Sequence, residues 1–125
     1  MFQKDHEPWR PFIGSGTEFH GELKVNGTLR VEGQFYGKVN AALVILGETG
    51  VIRGDVSAKK IIVEGKVEGN VRVQESVEIR ATGKVVGDIF TKIISITEGA
   101  KVNGQIEMEV DENRIMDSGS KRGKG

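Results

Sequence analysis

Cysteine is absent from this 125-residue chain, and proline occurs only twice, both times within the first 11 residues. No apolar run approaches the roughly 18 residues that a membrane-spanning helix needs. The start, MFQKDHEPWR, is polar where a signal peptide would be apolar. These absences lead us to expect a cytoplasmic protein.

Net charge is also absent, because 18 basic residues balance 18 acidic ones. A neutral chain has no global field to attract nucleic acid, and neutrality favours self-association. Helical periodicity is missing too: no segment of ten or more residues spaces its apolar positions as a helix would without a glycine. What remains is 18 glycines in a body rich in valine and isoleucine, which predicts short strands and tight turns.

A short phrase recurs six times: glycine, one or two residues, a hydrophobe, one residue, glycine, a polar residue, and a hydrophobe. The second glycine of each copy is Gly21, Gly37, Gly54, Gly69, Gly87 or Gly104. The steps between them are 16, 17, 15, 18 and 17 residues, which suits three short strands and three bends. Each repeat therefore predicts one coil of a β-helix.

Alternation around these glycines predicts which side chains point inward. Two positions before the glycine stand Phe19, Phe35, Ile52, Val67, Val85 and Val102. Two positions after it stand Leu23, Val39, Val56, Val71, Ile89 and Ile106, and four after it Val25, Ala41, Ala58, Val73, Thr91 and Met108. A third side comes from the pairs Leu29 and Val31, Val44 and Leu46, Ile61 and Val63, Val77 and Ile79, and Ile94 and Ile96.

The inward hydrophobes step irregularly, by four, five and then eight residues from Phe35 through Val39 and Val44 to Ile52. A left-handed β-helix would instead show strict hexapeptides. We therefore predict an all-β, three-sided, right-handed parallel β-helix of about six coils with roughly 17 residues each. It spans residues 12–110, preceded by a flexible arm over 1–11 and followed by a disordered tail over 111–125.

Both ends of this β-helix lack a helical cap, so each is expected to expose apolar core beside unpaired backbone groups. The N-terminal end would present Phe12, Ile13, Phe19, Leu23 and Val25, and the C-terminal end Val102, Ile106, Met108 and Val110. Such edges invite a second copy. Contact between like ends would give a filament without polarity and head-to-tail contact a polar one, and the residues alone do not decide between them.

Enzymatic sites are not indicated. The two histidines, His6 and His20, are too few for a His₃ zinc site, and no catalytic histidine lies mid-rod. The glycine-containing segments at residues 14–19 and 119–125 lack phosphate-loop spacing. We predict no catalytic residues, no metal, no cofactor and no nucleotide.

The phased glycine phrase, the coil length and the polar tails resemble the bactofilins, polymer-forming bacterial cytoskeletal proteins, over roughly residues 12–110. The resemblance implies end-to-end stacking into non-polar filaments without nucleotide, often on the membrane, where they position cell-wall enzymes or set cell shape. The start of the chain is similar to a bactofilin membrane-targeting segment. It implies that Met1, Phe2 and Lys4, with Trp9 as a further anchor, bind the inner face of the cytoplasmic membrane. Alternatively, the arm packs over the first coil through Trp9 and Phe12.

The rival interpretation is a β-helical binding module that docks a partner enzyme or a polysaccharide without forming filaments. Tyr36 is the main candidate for stacking on sugar, although we expect it to be a turn or coil-edge residue. The basic tip with Lys121, Arg122 and Lys124 is expected to be solvated, and nucleic acid is not predicted as a partner. Outward residues on all three sides carry similarly mixed charge, so the sequence does not indicate a cargo-binding face.

Overall fold

The structure, a computed structural model, describes residues 11–108, and within that range it contains strands, turns and bends but no helix. The strands are β1 (Phe12–Ile13), β2 (Glu18–Val31), β3 (Gln34–Leu46), β4 (Val51–Val63), β5 (Lys66–Glu68), β6 (Val71–Ile79), β7 (Lys84–Val86), β8 (Ile89–Thr91), β9 (Ile93–Ile96), β10 (Lys101–Asn103) and β11 (Ile106–Met108). Every strand pair is parallel. The all-β prediction is confirmed.

Successive coils stack in register to form a solenoid of about six turns, as the repeat predicts. The first three coils are the long strands β2, β3 and β4, which bend at each corner without breaking. The fourth coil is divided into β5 and β6, the fifth into β7, β8 and β9, and the sixth begins with β10 and β11. Gly21, Gly37 and Gly54 face one another across these coils, so the glycine phrase sets the register. The right-handed sense stays a prediction.

Each coil has three sides. The first side precedes the second glycine of each phrase, the second side follows it, and the third side leads to the next phrase. The predicted columns lie where the alternation puts them: Phe35, Ile52, Val67 and Val85 are fully buried in one stack on the first side. The third side buries Val31, Leu46, Val63 and Ile79 in the same way. These columns form one continuous core along the rod.

Among the described residues, Thr91 is the one polar residue that is buried. It occupies the column of small residues on the second side, and its Oγ1 donates a hydrogen bond to the carbonyl oxygen of Ile93 at 3.1 Å. Because the hydroxyl is satisfied locally, the position accepts a threonine inside an apolar column.

The repeated glycine is required by the backbone. Gly54 has φ of +145°, a region that L side chains rarely adopt, and a Cβ added to it would overlap the carbonyl oxygen of Gly37 in the coil before. Gly37, Gly69, Gly87 and Gly104 repeat this relationship with the preceding coil. The corner between the first and second sides is therefore too tight for any other residue, which explains the period of the sequence.

Candidate assembly surfaces

The C-terminal end of the described rod exposes apolar side chains. Ile106 continues the column of Val71 and Ile89, which are 2% and 1% exposed, yet Ile106 itself is 39% exposed. Met108 is 47% exposed beside it, whereas Val102 on the first side is half-buried against the core. Among residues 11–108, no further coil lies against β10 and β11, and the loss of that cover explains the exposure.

The N-terminal end has a different shape. β1 pairs with the last part of β2, so that Phe12 lies beside Arg30 and Ile13 beside Val31. Ile13 is thereby buried, and Phe12 on the outer face is 58% exposed. Only the third side is covered in this way; within the described range, the first part of β2 pairs with β3 alone.

The other side chains predicted for the N-terminal end differ in exposure. Phe19 and Leu23 are partly buried and pack on the core, while Val25 is buried at 4% exposure. The surface that a second copy could contact at this end is therefore centred on Phe19 and Leu23, with Phe12 at its outer margin.

The third side ends one coil earlier than the other two in the described residues. Ile96 completes the column of Val63 and Ile79 but is 47% exposed, and Ile94 beside it is half-buried. This surface is missing from the residues predicted for the C-terminal end. Counting the columns finds it, because each column of the first and second sides has six members and each column of the third has five. Ile94 and Ile96 join Ile106 and Met108 as apolar surface near this end.

Several predicted site residues fall outside the described range. These are Val110 at the C-terminal end and the four proposed membrane contacts Met1, Phe2, Lys4 and Trp9.

The first side carries a ladder of stacked outward side chains. The rings of His20 and Tyr36 stack with centroids 4.5 Å apart, and the guanidinium of Arg53 lies 5.6 Å from the centre of the Tyr36 ring. His20 and Arg53 belong to the coils before and after Tyr36, so they cover its opposite faces. Tyr36 thus has no free face for stacking on a sugar, which argues against the polysaccharide-binding alternative.

Ion pairs extend this ladder, and further ion pairs join side chains near the corner between the third side and the first. Glu68 accepts from Lys66 at 2.7 Å and from Arg53 at 3.1 Å, and the hydrogen bond from Lys66 is the main reason why its pKa lies below the ordinary 4.5. Arg80 bonds Glu78 and Glu64, which raise its pKa. Because all these groups are partly or fully exposed to solvent, each pair contributes little to stability.

Neither metal chemistry nor membrane spanning is indicated by the described part of the chain. There, no three metal-ligating side chains come together. In the same range, no helix has the length and apolarity needed to cross a membrane.

Comparison with known proteins gives the family. A family model described as "Bactofilin: Polymer-forming cytoskeletal" matches residues 11–107, nearly the whole described solenoid. The chain belongs to the bactofilin family. Bactofilin BacP of Myxococcus xanthus is 32% identical over 105 residues, and bactofilin BacO of the same organism is 31% identical over 102 residues. No solved structure matches the chain.

Coverage of the two relatives is unequal. The matched region takes in 82% of this bactofilin but 44% of BacP, and it takes in 80% of both this chain and BacO. The match covers the stacked coils, so the resemblance to a polymer-forming cytoskeletal family that the glycine phrase indicates is confirmed.

Proposed function

We propose that this bactofilin is a structural scaffold that polymerises end to end through its terminal coils, without nucleotide. The observation that carries the proposal is the exposure of Ile106 and Met108 on an open coil, in columns that are buried from the second coil to the fifth. A second copy placed there would cover the exposed apolar columns and pair with the open strand edges.

The energy available at such a contact is modest. Burying an isoleucine or methionine that is now about half exposed contributes on the order of 1 kcal/mol, and Ile106, Met108 and Ile96 offer three such side chains. Main-chain hydrogen bonds along β10 and β11 would add to this. A small contact of this kind makes assembly dependent on protein concentration, and formation of each contact needs no hydrolysis step.

We further propose that like ends meet, giving filaments without polarity. Resemblance to the bactofilins implies this symmetry. Contact between like ends is isologous, so two copies of Ile106 and Met108 would face each other at one junction, and two copies of Phe19 and Leu23 at the next.

The filament is proposed to lie on the inner face of the cytoplasmic membrane, held by Met1, Phe2, Lys4 and Trp9. One phenylalanine and one lysine bind lipid weakly. A filament presents one arm per protomer, however, so multivalency raises the affinity of the filament for the membrane. Deleting residues 1–8 should abolish flotation of the protein with vesicles containing anionic lipid, while filaments still form and pellet without lipid. Undiminished flotation would contradict membrane binding by this arm and favour its packing on the first coil.

A membrane-bound filament of this kind would organise cell-wall enzymes or cell shape by holding partners at fixed intervals along its length. Pelleting of the purified chain in an ultracentrifuge without nucleotide, over a range of concentrations, tests whether the chain polymerises at all. We expect a threshold concentration above which added protein pellets, with no change on adding ATP or GTP. A chain that stays in the supernatant at every concentration would favour the non-filamentous binding module.

A further inference from the structure

A groove of about 720 Å³ runs along the rod, where the second side of each coil meets the third. It crosses the first five coils and therefore lies on the flank of the molecule, apart from both ends. Its lining residues are Lys24, Val25, Asn26, Asn40, Ala41, Ala42, Ser57, Ala58, Lys59, Arg72, Val73, Gln74, Phe90 and Lys92.

The charge in this groove is of one sign. Four cations line it, namely Lys24, Lys59, Arg72 and Lys92, and no carboxylate does. All four are exposed, and within residues 11–108 none of them forms an ion pair with a carboxylate. Arginines outside the groove are paired, since Arg53 bonds Glu68 and Arg80 bonds Glu64. The groove thus concentrates uncompensated positive charge on a molecule whose net charge is zero.

Small and amide-bearing side chains give the groove its depth and its hydrogen-bonding capacity. Ala41 and Ala58 are buried in its floor, so little side-chain volume fills the corner. Asn26, Asn40 and Gln74 offer both donors and acceptors, which is what the main chain of an extended peptide requires. Phe90, 39% exposed at the end of the groove, offers an apolar contact.

The spacing of the cations suits an extended chain. Lys24 is in register with Asn40, then Ser57, then Arg72, so three coil spacings, about 14 Å, separate it from Arg72. Lys59 lies in the third coil and Lys92 in the fifth, so the cations are spread along the length of the groove. A peptide in β conformation rises about 3.3 Å per residue, so carboxylates three or four positions apart are about 10–13 Å apart, close to the separation of Lys24 and Arg72.

We propose that this groove binds an extended acidic segment of a partner protein, with an apolar residue of that segment on Phe90. Nucleic acid is the less favoured polyanion, because a single aromatic side chain lines the groove and stacking platforms for successive bases are missing from its described lining. The inference goes beyond assembly at the ends. A filament would present one groove per protomer, so partners would dock at regular intervals.

The test uses the full-length chain and a fluorescein-labelled ten-residue peptide with glutamate at every third position among serines and a terminal leucine. Fluorescence anisotropy should show saturable binding that weakens at least tenfold in the double variant Lys59→Glu, Arg72→Glu. The control is Lys84→Glu, Lys101→Glu, which makes the same charge change on the first side, outside the groove. It should weaken binding less than threefold.

Three results would overturn the proposal. Equal losses in the two double variants would mean general electrostatic attraction, and equal binding of the peptide with glutamine in place of glutamate would remove the role of charge. Tighter binding of a ten-nucleotide single-stranded DNA would assign the groove to nucleic acid. Ultracentrifuge pelleting of the same variants keeps the two ideas separate, because groove substitutions should leave polymerisation unchanged.

Discussion

The ring of Phe19 lies flat on the ring of Phe35, with centroids 5.0 Å apart and an angle of 11° between their planes. Phe35 is fully buried, whereas Phe19 is partly exposed at the N-terminal end of the same column. One side chain therefore supports the core from within, and the other closes the core at the surface where a second copy is proposed to bind.

This difference predicts unequal costs of truncation. Phe35→Ala should lower the free energy of unfolding by about 3–5 kcal/mol, because it leaves a cavity between Phe19 and Ile52. Phe19→Ala should cost clearly less, since part of the ring is already in water. Denaturant unfolding of both variants measures this, and similar losses for the two would contradict the assigned burial.

A second prediction concerns the glycine at the tight corner. Gly54→Ala should cost at least about 2 kcal/mol, because φ of +145° is strained for alanine and its Cβ would overlap the backbone of Gly37. Gly27→Ala is the matched control, since nothing lies within 4 Å of its added Cβ and its φ is not in the positive region. Thermal unfolding should separate the two; equal melting temperatures would show that the corner has room.

Acid should weaken the ladder on the first side. The pKa of Glu68 is lowered in the folded chain, so the stability it contributes is present above the unfolded value and is lost as pH falls through the folded value. Glu68→Gln should therefore lower the melting temperature slightly at pH 7 and not at all once pH is well below 4.5. Glu98→Gln serves as control, as Glu98 forms no ion pair among the described residues. A pH-independent difference for Glu68→Gln would contradict an origin in the charge of this carboxylate.

The inward columns could be predicted from sequence because strand alternation and the glycine phrase fix both face and register, as with Phe35 and Ile52. The groove could not be predicted from the sequence. It depends on which outward residues meet at a corner where the strand register shifts, between Val25 and Thr28 and again between Ala58 and Lys60. Side chains near those shifts, such as Lys59, cannot be aligned by counting, so the faces looked equally mixed in charge.

At the two ends of the rod, the sequence columns likewise do not predict how exposed a side chain is. The sequence predicts Val25 at the exposed N-terminal surface, yet its side chain is 4% exposed. It predicts that Ile96 points inward, yet that side chain is 47% exposed. Membership of a column says that a side chain points inward. Ile96 is left uncovered because the third side ends one coil earlier than the other two in the described residues.

Filament polarity can be read with introduced thiols, because the chain has no cysteine of its own. Glu107→Cys places a thiol at the C-terminal coil and Glu22→Cys one at the N-terminal coil, both on exposed outward positions. If like ends meet, each single variant should give cross-linked dimers with a flexible bismaleimide. Dimers that appear only when the two variants are mixed would establish head-to-tail stacking.

Substitution at the open coil tests the central claim that the exposed ends drive assembly. Ile106→Arg or Met108→Arg places a charge where a second coil would stack, and neither position is buried in the single chain, so folding should survive. Glu107→Arg, between them on the outer face, is the matched control. Retained thermal unfolding checks that each variant is folded.

Negative-stain electron microscopy of these proteins at moderate salt, without nucleotide, is the most direct measurement. We predict long uniform fibres for the unmodified chain and for Glu107→Arg, and folded single particles for Ile106→Arg and Met108→Arg. Fibres formed equally well by Ile106→Arg and Met108→Arg would contradict assembly through the C-terminal coil, and single particles of the unmodified chain at every concentration would contradict the filament itself.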